Sequence, residues 1–293
     1  MGFVVRGLEP GDVDRVLAIQ HATCGEAPRW SRDLLVSELT DPGRDHGRRV
    51  RIVTRGGEVV AGAGFVPAGP DLFIAPMFTD DEEAGVALVK ELVELASAAE
   101  RVRVSVWPSE LTKRRAVERL GFRPAFAFLT LARGSERREP VVVPYRRSPV
   151  DAVPTEVMRD AHNEAFRGVS NAPPQSVDEV RSVVGKLFAP GSGVWLDEAG
   201  TIAGYVWALR DADSHGDHVV IDAVGVAGDR RGAGLGSALV RHVLDAAARA
   251  GIPEVRALIA SDNAASLALH RRSGFVERWR RDVFELGRTR PGG

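Results

Sequence analysis

The residues of this chain that could do chemistry begin with a glycine-rich run, Arg231-Gly232-Ala233-Gly234-Leu235-Gly236, with Arg230 before it and Ser237 after it. Glycine lets a ligand approach the backbone closely and adopts conformations that other residues avoid. An apolar strand ends before the run and a helix begins after it, so unpaired N–H groups and the positive end of the helix dipole would face the loop. The run therefore predicts an anion site suited to a pyrophosphate.

Two other kinds of glycine-rich loop do not fit this spacing. A dinucleotide fingerprint requires G-x-G-x-x-G, but the sixth position counted from Gly232 is Ser237, and counted from Gly234 it is Leu239. A Walker loop requires Gly-Lys-Ser/Thr, and this run contains no lysine. The alternative that remains is a flexible strand-to-helix turn without a ligand.

A second run carries further chemistry-bearing residues, with Asn263, Ser266, His270 and Gly274-Phe275 at fixed spacing. The two runs resemble the signatures R/Q-x-x-G-x-G/A and N-x-x-[AS]-x-x-x-Y-x-x-x-G-F of the GCN5-related N-acetyltransferases (GNAT). Two motifs in the correct order cover the C-terminal half of the chain, roughly residues 145 to 290. This half is accordingly similar to an acyltransferase domain of that family.

The resemblance implies acetyl-CoA as co-substrate. In the family the glycine loop holds the coenzyme A pyrophosphate, and the strand before it pairs with the pantetheine arm, here through Val224 and Val226. Asn263 would lie near the arm, with Ser266 on the same face of a short helix. The implied cofactor-binding residues are Val224, Val226, Arg230, Arg231, Gly232, Ala233, Gly234, Leu235, Gly236, Ser237, Asn263 and Ser266.

His270 departs from the family pattern, because a tyrosine that often protonates the departing thiolate stands at this position in relatives. A histidine can also deliver a proton near neutral pH. It can equally contact the substrate or have a structural role. The sequence leaves both interpretations of His270 open.

Asp222 is the candidate general base. It is the only carboxylate in the strand from His218 to Val226. The glutamate of histone-type relatives aligns with Val220, two residues earlier and therefore on the same strand face. An acid in an apolar strand either takes up or binds an amine, or forms an ion pair with a nearby arginine.

A repeat decides the predicted architecture. Val60-Ala61-Gly62 corresponds to Ile202-Ala203-Gly204, and Gly121-Phe122 corresponds to Gly274-Phe275. Both halves follow the order β-α-(α)-β-β-β-α-β-α-β, which predicts an α/β (α+β) fold with a mixed sheet. We expect two tandem GNAT-like domains, each a mixed, mostly antiparallel central sheet flanked by helices: 1–134, a linker at 135–140, and 141–293.

The first half has lost the glycine loop. Alignment places Asp80 on Arg231 and Glu83 on Gly234, within four consecutive acids that end at Glu83. These acids suit a helix N-terminus but repel a pyrophosphate. We therefore expect this half to keep the fold without cofactor binding, as a scaffold or as one wall of the acceptor pocket.

Composition excludes several other classes of protein. The chain has 293 residues, a formal net charge of −1 and a single cysteine, Cys24. We therefore expect no nucleic-acid partner, no membrane partner, no disulfide and a cytoplasmic location. His215, Asp217 and His218 have no fourth partner, so we expect no metal site.

The predicted activity is acyl-CoA-dependent N-acetyltransfer to a small-molecule or peptide amine by direct attack, with the active site in the C-terminal domain. The alternatives are a non-catalytic acyl-CoA sensor and a small-molecule acetyltransferase resembling mycothiol synthase. The expected acceptor-pocket walls are 168–176 and 211–217. The sequence predicts neither the identity of the acceptor nor the oligomeric state.

Overall fold

The computed structural model describes residues 2–40, 49–68, 70–95, 99–137, 139, 141–169 and 172–287. The strands are β1 (Phe3–Arg6), β2 (Arg51–Arg55), β3 (Glu58–Ala68), β4 (Asp71–Thr79), β5 (Arg101–Val106), β6 (Arg123–Gly134), β7 (Arg146–Ser148), β8 (Gly193–Leu196), β9 (Ile202–Asp213), β10 (Gly216–Val226), β11 (Glu254–Ala260) and β12 (Val276–Gly287). The α-helices are α1 (Val13–Thr23), α2 (Arg32–Thr40), α3 (Glu82–Leu95), α4 (Leu111–Arg119), α5 (Thr155–Ala165), α6 (Val177–Val184), α7 (Leu235–Arg249) and α8 (Ala264–Arg272). Short 3-10 helices occupy Pro10–Asp12, Val150–Ala152 and Gly228–Arg230.

The chain forms two compact units. The first unit is Met1–Ala127 together with Arg280–Gly293, and the second unit is Phe128–Trp279. In the first unit the strand order is β1-β2-β3-β4-β5, followed by the 282–287 part of β12. Only β4 and β5 are parallel, and β12 closes the sheet antiparallel to β5.

The second unit repeats this order. The 128–134 part of β6 pairs antiparallel with β11, which is followed by β10, β9, β8 and β7. Here β10 and β11 are the parallel pair. The predicted mixed, mostly antiparallel sheet with flanking helices is confirmed in both units, as is the predicted order of elements.

The compact units differ from the predicted division at 134 and 141. The strand 128–134 belongs to the sheet of the second unit, and the strand 282–287 belongs to the sheet of the first. Phe284 packs in the core of the first unit beside Phe122. Sequence order alone does not reveal this exchange, because each strand has the length and apolar pattern that either sheet accepts. Residues 138 and 140 of the predicted linker lie outside the described residues.

The Gly-Phe pairs of the repeat end α4 and α8. Gly121 and Gly274 have φ values of 87° and 81°, which is the left-handed conformation that glycine adopts at a helix end. The N–H of Phe275 donates to the carbonyl of His270, and Phe122 does the same to Val117. Both phenylalanine side chains are then buried. The pair therefore fixes the last turn of each helix against its core.

The exchange of strands predicts which fragments fold. We expect 128–279 to melt cooperatively, because it contains every strand of its sheet. A fragment of 141–293, nearly equal in length, lacks β6 and with it the buried Leu129 and Leu131, each expected to contribute about 2–5 kcal/mol. Circular dichroism melting and size-exclusion chromatography check this. Equal cooperative melting of both fragments would contradict the assignment of β6.

Candidate active site

A cavity opens in the second unit where β10 and β11 diverge. Their parallel pairing runs from His218 opposite Glu254 to Ile221 opposite Ala257 and goes no further. Beyond these residues both strands line a cavity of ≈ 860 Å³. Because the backbone groups of the diverging ends are not paired with each other, they are available to an extended ligand laid between them.

A β-bulge places Asp222 at this cavity. The register of β10 against β9 shifts between Ile221 and Ala223, so Asp222 is an additional residue without a partner on β9. A bulge turns a side chain away from the regular alternation of the strand. Asp222 lines the cavity, whereas Val220 pairs regularly with Leu209 and does not line it.

The carboxyl group of Asp222 is open to the cavity but lies among apolar walls. Burial raises its pKa above the ordinary value for aspartate, because the charged form loses hydration there. Within the described residues Asp222 makes no ion pair, so the alternative of an arginine partner is not what the structure shows. The carboxylate is left for a ligand.

The glycine run forms the turn into α7. Gly234 is the N-cap of α7 with φ 86°, and no side chain caps the helix. A Cβ at Gly234 would meet no atom within 4 Å, so it is the backbone angle that requires glycine. The first N–H groups of α7 therefore have no side-chain acceptor at the cavity wall, which is the arrangement that binds phosphate.

Two arginines stand beside this helix end. Arg231 donates from Nε to the carbonyl of Val226 and from Nη2 to the carbonyl of Ala165, at 3.2 Å in each case. Arg230 lies 3.5 Å from Asp197 and also pairs with Asp229. Since the bonds of Arg231 go to neutral carbonyls, its positive charge is not cancelled by a carboxylate within the described residues.

The start of α8 forms the opposite wall. The Asn263 side chain accepts a hydrogen bond from the N–H of Ser266 at 3.1 Å and so caps the helix. Both side chains line the cavity. The predicted proximity of Asn263 and Ser266 on one helix face is what the structure shows.

His270 is held as a neutral hydrogen-bond acceptor. It is 2% exposed, and its Nδ1 lies 2.9 Å from the carbonyl oxygen of Ser266. A carbonyl only accepts, so Nδ1 carries the hydrogen and Nε2 presents a lone pair. Nε2 is buried without a partner, and burial lowers the pKa of the imidazole. In this state Nε2 could accept a hydrogen bond but has no hydrogen to donate.

Sequence reasoning missed an aromatic cluster beside Asp222. His162 is stacked between Phe166 and Trp207, at ring distances of 4.6 and 4.8 Å. Its Nδ1 is 2.9 Å from the hydroxyl of Tyr205. Burial, and then the charge of Asp222, raise the pKa of that tyrosine, which places Tyr205 near the carboxylate.

Gly225 is the one feature of the sequence that could have indicated this aromatic cluster. A Cβ at Gly225 would lie 2.1 Å from Cε1 of Tyr205, so only glycine lets the tyrosine ring cross the strand. A glycine between Val224 and Val226 in an apolar strand indicates such a close approach. The sequence does not say which side chain makes it.

Burial lowers the pKa of His162 from 6.5 to about 4. As the pH falls, the His162 imidazole becomes protonated in the unfolded chain before it does in the folded protein. The contribution of His162 to the stability of the second unit should therefore fall between pH 6.5 and 4, by up to about 3 kcal/mol. NMR should show the His162 imidazole neutral down to about pH 5, and His162→Gln should weaken the pH dependence of unfolding. Titration of His162 near pH 6.5 would contradict its buried environment.

The cavity brings together the predicted site residues. Asp222, His270 and every implied cofactor-binding residue except Ala233 line it. The predicted pocket wall at 168–176 contributes Val169 and residues 172–175, while 170 and 171 lie outside the described residues. The predicted wall at 211–217 is wrong. It forms the turn from β9 to β10, where Asp213 pairs with buried Arg256, and none of it lines this cavity.

The first unit shows why the matching helix end differs. Asp81 accepts the N–H of Ala84 at 2.9 Å, so α3 is capped by its own carboxylate. The neighbouring acids pair with arginines, Asp80 with Arg15 at 3.1 Å and Glu83 with Arg119. The four acids therefore satisfy the helix dipole from within the chain.

The counterpart of the Asn263 wall is also filled. In the first unit Glu110 and Lys113 form a buried ion pair at 2.9 Å. Glu110 additionally accepts the N–H of Trp107 at 2.8 Å. The first unit thus has a buried ion pair where the second unit has the neutral side chains of Asn263 and Ser266 at the cavity.

Two general searches of the described residues complete this picture. Within them, no group of three or more His, Cys, Asp or Glu side chains is arranged to hold a metal ion. None of their helices combines the length and apolar character that a membrane span requires.

Comparisons with known proteins agree with the geometry. Residues 155–275 match the model of the acetyltransferase (GNAT) family. A mycothiol acetyltransferase of Clavibacter michiganensis subsp. michiganensis is 39% identical over 79 residues, which cover 27% of this chain and 24% of the relative. The match thus spans about a quarter of that curated relative.

Solved structures extend the likeness of fold to the whole chain. A GCN5-related N-acetyltransferase from Sphaerobacter thermophilus is 20% identical with a TM-score of 0.75, covering 97% of this chain and 95% of its own. A tandem GNAT protein from the clavulanic acid biosynthesis pathway is 18% identical with a TM-score of 0.67, covering 98% of each chain. With the family match inside the second unit, the chain carries a domain of the GNAT acetyltransferase family.

Proposed function

We propose that this protein transfers an acetyl group from acetyl-CoA to an amine by direct attack, with the active site in the second unit. One observation carries the proposal. The cavity between the diverging strands joins an uncapped helix N-terminus to a carboxylate in a strand bulge. An anion site and a proton acceptor in one cavity are what acyl transfer from a pyrophosphate-bearing thioester to an amine requires.

The residues of the cavity fit acetyl-CoA. The N-terminus of α7 and Arg231 would hold the pyrophosphate. The backbone of Val224 and Val226, which lies beyond the last pairing of β10 with β11, would hold the pantetheine arm. Bound there, acetyl-CoA supplies the activated acetyl group. Because Arg231 now donates to the carbonyl of Val226, it must release that carbonyl if the arm uses it.

Asp222 would accept the proton that the amine loses as the new C–N bond forms and the C–S bond breaks, and the departing coenzyme A thiolate would take a proton from solvent. Burial raises the pKa of the Asp222 carboxyl, and a carboxylate with a raised pKa is a stronger base than an ordinary aspartate. Backbone N–H groups near Val226 would polarise the thioester carbonyl. No covalent enzyme intermediate is needed, because the cavity presents no cysteine and the amine is itself the nucleophile.

His270 keeps its place in the site with a more limited role. In its resting tautomer Nε2 has no hydrogen to give to sulfur. We propose that Nε2 of His270 accepts a hydrogen bond from an N–H of the bound cofactor. The other role predicted from the sequence, donation of a proton to the thiolate, would require a hydrogen on Nε2 and stays a prediction. His270→Phe should then weaken acetyl-CoA binding, which calorimetry measures, without removing a limb of the pH–rate profile.

The test of the proposal is release of coenzyme A, measured with a thiol reagent in the presence of acetyl-CoA and a panel of amines. Acetylated product should appear in the mass spectrum in equal amount. A protein that binds acetyl-CoA yet never releases coenzyme A would instead be the sensor. A protein that does neither would contradict the proposal.

A second candidate, a small-molecule acetyltransferase resembling mycothiol synthase, is favoured by one observation. The matching relative is a mycothiol acetyltransferase at 39% identity over 79 residues. The same panel should therefore include deacetylated mycothiol. Strong preference for that amine over all others would favour this candidate.

A further inference from the structure

The cavity has two chemically different halves. The half beside α7 and α8 carries the arginines Arg230, Arg231 and Arg272. The other half is lined by the end of α5, by residues 172–175, by the start of α6 and by the β10 bulge. If the arginine half receives acetyl-CoA, the other half receives the acceptor, and its chemistry selects the acceptor.

Two carboxylates line the acceptor half, Asp222 and Glu179. Glu179 lies in the first turn of α6. Its Oε2 accepts from the backbone N–H and the hydroxyl of Ser176, at 2.7 and 2.8 Å. Glu179 is exposed, and the capping bonds hold its carboxylate at the rim of the cavity. This half therefore holds fixed negative charge.

An orphaned acceptor oxygen lies in the same half. Oε1 of Gln175 is buried and has no hydrogen-bond partner among the residues that the structure describes. Asn163 bonds the backbone of Gln175 on both sides, accepting from its N–H at 2.8 Å and donating to its carbonyl at 3.0 Å. A buried acceptor on a pinned backbone is costly unless a ligand donates to it.

The remaining wall is apolar or neutral. Phe166, Pro173 and Pro174 line this half, and burial lowers the pKa of His162, which keeps its imidazole neutral near neutral pH. Two arginines reach the end of α5. Arg167 has a side chain that is 77% exposed and is paired with Glu164. Arg231 donates to the carbonyl of Ala165 and is assigned to the pyrophosphate in the proposed function. A negatively charged group of an acceptor would find no buried cation in this half within the described residues.

We propose that the acceptor is a cationic amine with an apolar or aromatic body and no carboxylate, the chemical class of decarboxylated amino acids. This inference rests on the proposed function. The ammonium group would meet Asp222 and Glu179 and donate to Gln175, while the body packs on the phenylalanine and proline wall. A carboxylate on the same molecule would face the two fixed carboxylates.

Matched amine pairs test the proposal. We compare tyramine with tyrosine, and phenethylamine with phenylalanine, at saturating acetyl-CoA, following coenzyme A release and the acetylated product. The members without a carboxylate should have kcat/KM values on the order of 100-fold higher, the repulsion expected of like charges about 6 Å apart in a partly buried site. Equal or better acetylation of the amino acids would overturn the proposal.

The variant Glu179→Gln tests whether the preference for amines without a carboxylate comes from the acceptor half of the cavity. It keeps the capping geometry but removes the charge, so the preference for the carboxylate-free member should fall about 10-fold. Asp178→Asn is the control, because Asp178 is exposed on the same helix and does not line the cavity. An unchanged preference in Glu179→Gln, or an equal fall in Asp178→Asn, would count against the proposed subsite.

Measuring acetyl-CoA binding shows whether a negative result contradicts the proposed acceptor class or the proposed function. Failure to bind acetyl-CoA in calorimetry removes the proposed function itself. If the protein binds acetyl-CoA and acetylates only carboxylate-bearing amines, or none of these pairs, the acceptor class is wrong while the cofactor site stands.

Discussion

Replacing Gly234 by glutamate is expected to weaken acetyl-CoA binding at least 100-fold. Glutamate is the residue that the first unit has at the aligned position, Glu83. At Gly234 a carboxylate would stand at the N-terminus of α7, where the account places a doubly charged pyrophosphate. Repulsion of this kind in a partly exposed site is worth about 3 kcal/mol or more, and the φ of 86° adds strain for any residue other than glycine.

The control for this prediction is Gly228→Glu. Gly228 precedes the same loop, is exposed, lacks the positive φ and does not line the cavity. Both variants add one negative charge to the same loop. A difference in their acetyl-CoA affinities therefore reflects the position of the charge and not the net charge of the protein. Calorimetric titration with acetyl-CoA measures it, and equal affinities of the two variants would place the anion site elsewhere.

Asp222→Asn is expected to lower kcat by a factor of about 10² to 10⁴, the usual worth of a general base, with acetyl-CoA affinity changed less than about threefold. Asparagine has nearly the same shape but cannot take the amine proton. The stability of the folded protein should stay the same or rise, because burial disfavours the charged aspartate. Loss of activity without loss of stability is the expected signature.

The pH dependence of activity is a second test of Asp222 as the general base. Because burial raises the pKa of Asp222, activity should fall on the acid side at a pH above the ordinary titration of an aspartate. Asp217→Asn is the matched control, a carboxylate of the same strand that pairs with Arg210 at 2.8 Å outside the cavity. An Asp222→Asn enzyme with unchanged kcat would remove Asp222 from the mechanism.

The repeat, the glycine turn into α7 and the end of α8 could be predicted from sequence because local patterns determine them. The Gly234 turn needs a positive φ and the Gly274-Phe275 pair ends a helix, and both requirements restrict residue types at fixed spacing. The element order followed from apolar periodicity. The first strand of the second half, β7, begins only at Arg146, because Pro144 lacks the N–H that a ladder requires.

The rest of the site depends on contacts distant in sequence. His162 and Tyr205 form a hydrogen bond although they are 43 residues apart in sequence, and no local sequence pattern predicts this contact. The loop 211–217 was predicted as a pocket wall, but it lies outside the cavity and its Asp213 pairs with buried Arg256. Charge counts show neither which carboxylates are paired within the protein nor which sheet a terminal strand enters. That information comes from tertiary structure.

The central claim is a single acetyl-CoA site, in the second unit. Isothermal titration of the full chain with acetyl-CoA tests it most directly, because the binding stoichiometry counts the sites. The account predicts one molecule per chain, and none detectable in Gly234→Glu at the same concentrations. Two molecules per chain would show that the first unit binds despite its capped and acid-filled helix end, and no binding to the unaltered protein would contradict the account altogether.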